Sequence, residues 1–421
     1  MKTKKGNLFS QKRSLLEEKY EDRIVEEQKL KSLVPYTGNK EVPFLNIYRF
    51  EEAFSFGLVW ELLDRVKACE TDYVFDPFCG SGTTLFTSFV RGIPSVGADT
   101  LPLAWFVSKT LPTFLFLEKG EIKSIWNTVQ PEIDKCSPAL IAADVPIMKS
   151  AFKENTLLKL KKMKSAIDEL EEPYNSIFLF LFFSIVEECS LTVKENRYPK
   201  VKNYKKSSDP IDAMKRKIST VERDIASKRY LHVCGENVPD IFLDDTRDLS
   251  LSFKRKPTIL ITSPPYADAV DYTQSYALEL CFHFVKNFEE FKELRKNLLR
   301  SFESGTRERE APPHAAVKEV VTALREKMGK PEIPDMLAAY FADMKKAIKE
   351  WYRLLSGNAQ TALVVDNQYY QGEVIPVDLI LSDMAEEVGF TVETVIVAKY
   401  KGLKQVGRIP LRESILMWRK R

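Results

Sequence analysis

The chain has 421 residues, 44% hydrophobic and 29% charged, enough for a sizeable core in one large domain with insertions or in two to three domains. Lys and Arg number 63 against 60 Asp and Glu, for a net charge of +3, which excludes a globally basic nucleic-acid binder and confines any basic surface to a local patch. The six cysteines form no C-x-x-C pair and there are only three histidines, so no metal site or disulfide framework is expected, and a reducing cytoplasm is the natural compartment.

Residues 1–40 are charged and helix-favouring and read as an N-terminal helical extension, with no apolar stretch of the kind a secretory signal needs. Residues 41–110 begin an α/β pattern: a helical segment over 54–66, an apolar strand ending at Asp76, a glycine-containing turn, a helix, and a strand over 95–98 ending before Asp99. Residues 111–230 interrupt it as a mainly helical insertion, with helices over 119–130, 154–171, 174–192 and 210–229. In the last of these Ile211, Met214, Ile218, Val221 and Ile225 recur at spacings of three and four, behind Asp209 as N-cap and Pro210 at the first helical position. The apolar run over 177–186 is about half the length a bilayer requires. It is followed by Glu187 and Glu188 and reads as a buried helix, so no membrane partner is expected. The α/β pattern resumes over 231–421. Strands end at Asp245 and Thr262, a charged helical excursion covers 285–348, and strands over 362–365, 392–399 and 413–418 flank a helix over 378–388. Seven strands lie outside the insertion.

Two turns carry the chemistry. In Asp76-Pro77-Phe78-Cys79-Gly80-Ser81-Gly82-Thr83-Thr84 the glycines let backbone approach a ligand, and the helix that follows offers free N–H groups. Leu85 stands where a dinucleotide fingerprint would place a third glycine. Asp99, at the end of the next strand, is placed to grip ribose hydroxyls. A tight structural turn and a helix N-cap are the plain alternatives; together the two features favour a nucleoside-bearing cofactor.

The second turn is Thr262-Ser263-Pro264-Pro265-Tyr266, entered from the apolar run Ile259-Leu260-Ile261. Two consecutive prolines stop a strand and fix φ twice. Carbonyls are then presented rigidly beside an aromatic face, a combination that suits a flipped base stacked on Tyr266, with Ser263 and the Pro264 carbonyl accepting its amino hydrogens. A proline turn with a packed tyrosine is the alternative.

On these residues the sequence resembles the amino-methylating DNA methyltransferases, which use S-adenosyl-L-methionine and act on N4 of cytosine or N6 of adenine. The segment from Asp76 to Thr84 looks like their cofactor motif, which carries Asp76, Phe78, Gly80, Ser81, Gly82, Thr83 and Thr84 over as cofactor residues. Thr262 to Tyr266 looks like their catalytic motif, carrying over Ser263, Pro264, Pro265 and Tyr266. Asp244-Asp245-Thr246-Arg247-Asp248-Leu249 is similar to the segment whose acid contacts the cofactor adenine, which points to Asp245. The stretch around Phe54 resembles the one that cups the methionine end. The resemblance implies a Rossmann-like seven-stranded sheet with the last strand antiparallel, and assigns 41–110 and 231–421 to the methyltransferase domain. The insertion over 111–230 is then the candidate DNA-recognition region. Ser before Pro-Pro is commoner in the N4-cytosine enzymes and Asp in the N6-adenine ones, so Ser263 tilts the expectation to cytosine.

Double-stranded DNA is the expected substrate and a cognate restriction endonuclease a possible partner. Lys194, Arg197, Lys200, Lys202, Lys205 and Lys206, interleaved with Tyr198 and Tyr204, are the DNA-contact candidates; an exposed solvated loop is the alternative. The mixed-charge stretch over 292–309 is a weaker candidate, and Asn367 with Tyr369, Tyr370 and Gly372 is either a substrate-facing loop or a plain turn. Two other activities remain in view, a guanine-N2 tRNA methyltransferase and a non-catalytic nucleic-acid-binding relative. A carbon-5 mechanism is not expected, because it needs a thiolate nucleophile, no cysteine follows a proline, and Cys79 sits in the cofactor turn.

Overall fold

The computed structural model describes residues 11–227, 237–250, 253, 255–302, 309–402 and 410–421. Its strands in chain order are β1 (Ile24–Glu26), β2 (Val74–Asp76), β3 (Ser95–Asp99), β4 (Thr192–Glu195), β5 (Tyr198–Val201), β6 (Asp240–Leu243), β7 (Ile259–Thr262), β8 (Gln360–Asp366), β9 (Gln368–Tyr370), β10 (Glu373–Ile375), β11 (Phe390–Gly402) and β12 (Pro410–Lys420). Eight of them form one sheet in the order β1-β11-β12-β8-β7-β2-β3-β6. β6, β3, β2, β7 and β8 run parallel, and β12 runs antiparallel to both β8 and β11. This is a Rossmann-like sheet with its last strand antiparallel, as expected. An eighth strand, β1, joins the edge by pairing parallel to β11. It comes from the segment expected to be only helical, in which the helix itself spans Gln11–Tyr20.

The central strands are short apolar runs with every residue of Val74–Asp76 and Ile259–Thr262 buried. That pattern is forced on parallel strands covered by helices on both faces. One face is packed by Leu58, Leu62 and Leu63 of the helix Phe56–Arg65. The other carries the long helix Glu332–Leu354, with Trp351 wholly buried. A third core fills the insertion around the helix Tyr174–Cys189, where every residue of the run over 177–186 but Ser184 is buried. Each such side chain contributes about 1.5–3 kcal/mol on leaving water, which explains why so apolar a helix is stable inside a folded protein. Among the described residues no helix is long and apolar enough to cross a membrane.

From β2 the chain moves outward to β3 and β6, then returns to β7 on the other side of β2. Connections from β2 and β7 therefore leave in opposite directions, which opens a crevice beyond their carboxyl ends. Asp76, Asp99, Thr262 and Asp366 end β2, β3, β7 and β8 at that one edge.

Candidate active site

A single cleft at this edge is lined by both sequence turns: Asp76, Phe78, Gly80, Ser81, Thr83, Thr84 and Asp99 on one side, and Ser263, Pro264, Pro265 and Tyr266 on the other, with Phe54 beside them. The first turn is shaped by φ of +51° at Gly80 and +80° at Gly82, a region that glycine enters without cost. The two glycines differ in role. A Cβ on Gly82 would lie 2.7 Å from Ser108 Cβ, so this glycine is required by helix packing, whereas Gly80 meets nothing closer than Phe50 at 3.5 Å and itself lines the cleft.

Asp99 ties the turn to the strand beside it. Its carboxylate accepts N–H bonds from Gly80 and Leu101, both at 2.9 Å. Each oxygen keeps a lone pair for a further donor. Burial pushes its carboxyl up to about 6. Asp76 does the same work between β2 and β7. It accepts from Thr262 Oγ1 at 2.6 Å and from the Phe78 N–H at 3.1 Å, and burial raises it to about 6 as well.

In the second turn, Ser263 gives its hydroxyl proton to the Val364 carbonyl of β8 at 3.1 Å, so its oxygen is left with lone pairs to accept. Tyr266 is held well above the ordinary phenol range by burial and stays neutral. The Lys401 ammonium lies over its ring, 5.9 Å from the centroid.

Asp245 stands apart from this cleft. Both its oxygens are taken by Arg247, whose Nε lies 2.9 Å from each, and Arg247 continues to Asp343 at 2.9 Å. Thr246 of the same segment accepts from Trp351 Nε1 at 2.8 Å, and the Trp351 ring meets the cleft residue Phe78 edge-on.

Within the basic stretch over 194–206, residues up to Val201 form a hairpin, and 202–206 follow it as an irregular segment. β4 and β5 pair antiparallel around a two-residue turn in which Asn196 and Arg197 have φ of +50° and +71°. Lys194 is half-buried, with its ammonium over the Tyr276 ring at 4.3 Å. Arg197 lines the cleft and pairs with Asp268 at 2.6 Å. Lys202 and Lys200 flank Glu195 at 2.5 and 3.9 Å. Lys205 donates to the carbonyls of Glu187 and Thr192, and Lys206 is exposed. The hairpin is fastened to the chain beyond the second turn by Tyr198, whose hydroxyl donates to the Ala269 carbonyl at 3.2 Å and accepts from the Asp271 N–H at 2.9 Å. Asn367 is buried between β8 and β9 and accepts from the Asp378 N–H at 3.1 Å. In the 292–309 stretch, Lys292 and Lys296 pair with glutamates three residues earlier on an exposed helix face, and 303–308 lie outside the described residues.

Sequence reasoning did not single out Glu52, Leu298, Leu299, Lys399, Lys401 or Glu413, all of which line the cleft.

The fold and cleft define an open α/β protein with a concave site at its topological switch point, lined on one side by the Ser263–Tyr266 turn. No family model matches the chain. The chain is 27% identical, over an alignment 469 positions long, to the Type II methyltransferase M.BsoBI of Geobacillus stearothermophilus, covering 96% of this chain and 91% of that one. It is 26% identical to the Type II methyltransferase M.AvaI of a Nostoc species, covering 96% and 92%. A solved structure, TrmN from Thermus thermophilus, aligns at 8% identity with a TM-score of 0.30 over 91% of this chain and 53% of that one, too low to add to the topology above. The similarity to Type II methyltransferases runs nearly end to end and supports a methyltransferase kinship.

Proposed function

We propose that this protein is an S-adenosylmethionine-dependent DNA methyltransferase acting on an exocyclic amino group, cytosine N4 in preference to adenine N6. It would serve in the cytoplasm as the modification half of a restriction–modification system, with duplex DNA as substrate and a cognate restriction endonuclease as partner. The observation that carries the reading is that the Gly80–Ser81 turn, Asp99 and the Ser263–Tyr266 turn line one cleft. The near full-length similarity to Type II methyltransferases supports it.

The cleft suits the cofactor. Asp99 holds spare acceptor capacity for vicinal hydroxyls, and Gly80, which lines the cleft without a side chain, lets its backbone meet a ligand directly. Phe54, Phe78, Ser81, Thr83 and Thr84 would line its length, and Gly82 would keep the turn seated on the neighbouring helix. When bound, the cofactor supplies a methyl group on a sulfonium whose departure leaves a neutral thioether. The chain has to position the acceptor. A base leaving the duplex costs a few kcal/mol, which stacking on Tyr266 offsets. Ser263 Oγ and the Pro264 carbonyl accept the amino hydrogens and turn the nitrogen lone pair towards the methyl. Those bonds favour the tetrahedral nitrogen of the transition state over the flat conjugated one, and positioning supplies much of the rate. Ser263 is too weak a base to ionise an amine, so the proton leaves to solvent after transfer.

Asp245 is already satisfied by Arg247, so a direct adenine contact would require that pair to open. Long-read sequencing of DNA from cells expressing the protein tests the function: N4-methylcytosine in a fixed sequence context supports it, and unmodified DNA refutes it.

A further inference from the structure

Three strands place charged groups in one lateral row at the carboxyl edge. Asp366 of β8 stands opposite Glu413 of β12, and Glu413 stands opposite Lys399 of β11. Lys399 Nζ lies 2.6 Å from Glu413 Oε2. Two residues on, Lys401 pairs with Asp366 and lies 3.6 Å from Glu413. The carboxylates are buried, at 7% and 5% exposure, whereas the lysine side chains keep 19% and 40%. Lys399, Lys401 and Glu413 line the same cleft as Ser263 and Tyr266, and Asp366 Oδ1 is buried without a hydrogen-bond partner.

Burying two carboxylates costs several kcal/mol each unless their partners compensate, and packing alone would be met by apolar side chains at these positions. The arrangement instead backs two ammonium groups with fixed negative charge in the wall of the cleft, that of Lys401 over the Tyr266 ring. An ammonium only donates hydrogen bonds.

The amino-bearing bases differ where such a donor matters. With the amino group at Ser263 and Pro264, the adjacent ring nitrogen is N3 in cytosine and N1 in adenine, which look alike. One atom further, cytosine presents the O2 carbonyl and adenine a C–H. We infer that Lys399 and Lys401, held by Glu413 and Asp366, read the N3–O2 edge of the flipped base and set the preference for cytosine. The inference rests on the amino-methylation proposed above. Lys401, which covers the Tyr266 ring in the free protein, would yield that face to the base and move to its edge.

The test uses the full-length protein and duplexes carrying the recognition site found by methylation mapping. Lys399→Met and Lys401→Met are expected to lower kcat/KM on cytosine by about tenfold or more, with cofactor Kd and affinity for a duplex abasic at the target position unchanged. A second arm needs no variant: the wild-type protein is given a 2-aminopyridine C-nucleoside at the target, which keeps the amino group and its neighbouring ring nitrogen but lacks O2. A comparable loss there supports the inference. Wild-type rates for both variants, or for the analogue, overturn it while leaving amino methylation intact. An equal loss of affinity for the abasic duplex marks a phosphate contact and also overturns it. If the wild-type protein methylates no duplex, the functional reading falls first.

Discussion

Thr262 Oγ1 donates a 2.6 Å hydrogen bond to Asp76 Oδ1, joining the last residue of one central strand to the last residue of its neighbour. Each begins one of the two turns, so this bond extends the β2–β7 ladder to the point where the cofactor side of the cleft meets the side that would receive the base. Replacing the hydroxyl with a methyl should leave a buried carboxylate short of a donor, at about 1–3 kcal/mol. Thr262→Val is therefore expected to lower Tm and to reduce kcat, and Thr262→Ser to restore both. A Thr262→Val protein with wild-type turnover would show that the ladder holds the two turns without this bond.

Tyr266 lines the cleft directly after the two prolines. Tyr266→Ala removes the stacking face and none of the cofactor wall. Methyl transfer should fall to near background while cofactor affinity, measured by calorimetry, stays close to normal. Wild-type turnover would remove Tyr266 from base binding.

The Asp99 carboxyl is pushed up to about 6 by burial. As pH falls through about 6 it takes up a proton and loses the acceptor that two ribose hydroxyls require. Cofactor affinity should therefore decline below that pH, and in Asp99→Asn it should be weak and independent of pH over the same range. The linkage to stability has the opposite sign. With Asp76 also raised to about 6, the folded chain binds more protons than the unfolded chain between the two sets of pKa values. These groups then stabilise the free protein as pH falls from 6 towards the unfolded carboxyl value. Calorimetric titrations between pH 5 and 8 check the first effect and thermal melts the second.

The basic stretch divides into structural and accessible positions. Lys205 donates to two backbone carbonyls from a half-buried position, so Lys205→Glu is expected to lower Tm. Lys206 is exposed, and Lys206→Glu should leave Tm unchanged while weakening DNA binding and flattening its salt dependence, because one fewer phosphate is then neutralised. Unchanged affinity in a salt titration would take this face out of the DNA interface.

The sheet was legible because buried parallel strands have to be short apolar runs, and Val74–Asp76 and Ile259–Thr262 are that. β1 was not. Its three residues lie at an edge and are partly or fully exposed, so only pairing with β11 defines them. The β4–β5 hairpin left one signal unread: Asn196 between two residue runs that alternate, which suits a tight turn with positive φ. Asp245 was placed by likeness alone, and nothing local shows that Arg247, two residues on, folds back to occupy it. The Asp366–Glu413–Lys399 row is invisible in one dimension, because strand register brings together residues far apart in the chain. Gly82 was expected to admit a ligand, and the packing against Ser108 that demands it comes from tertiary structure.

The most direct measurement is transfer of labelled methyl from S-adenosylmethionine by the purified protein, with duplex DNA and tRNA offered separately and the product nucleosides identified. Label in duplex DNA, recovered as N4-methylcytosine, is the predicted result. Label in tRNA alone, or in neither nucleic acid, would contradict it.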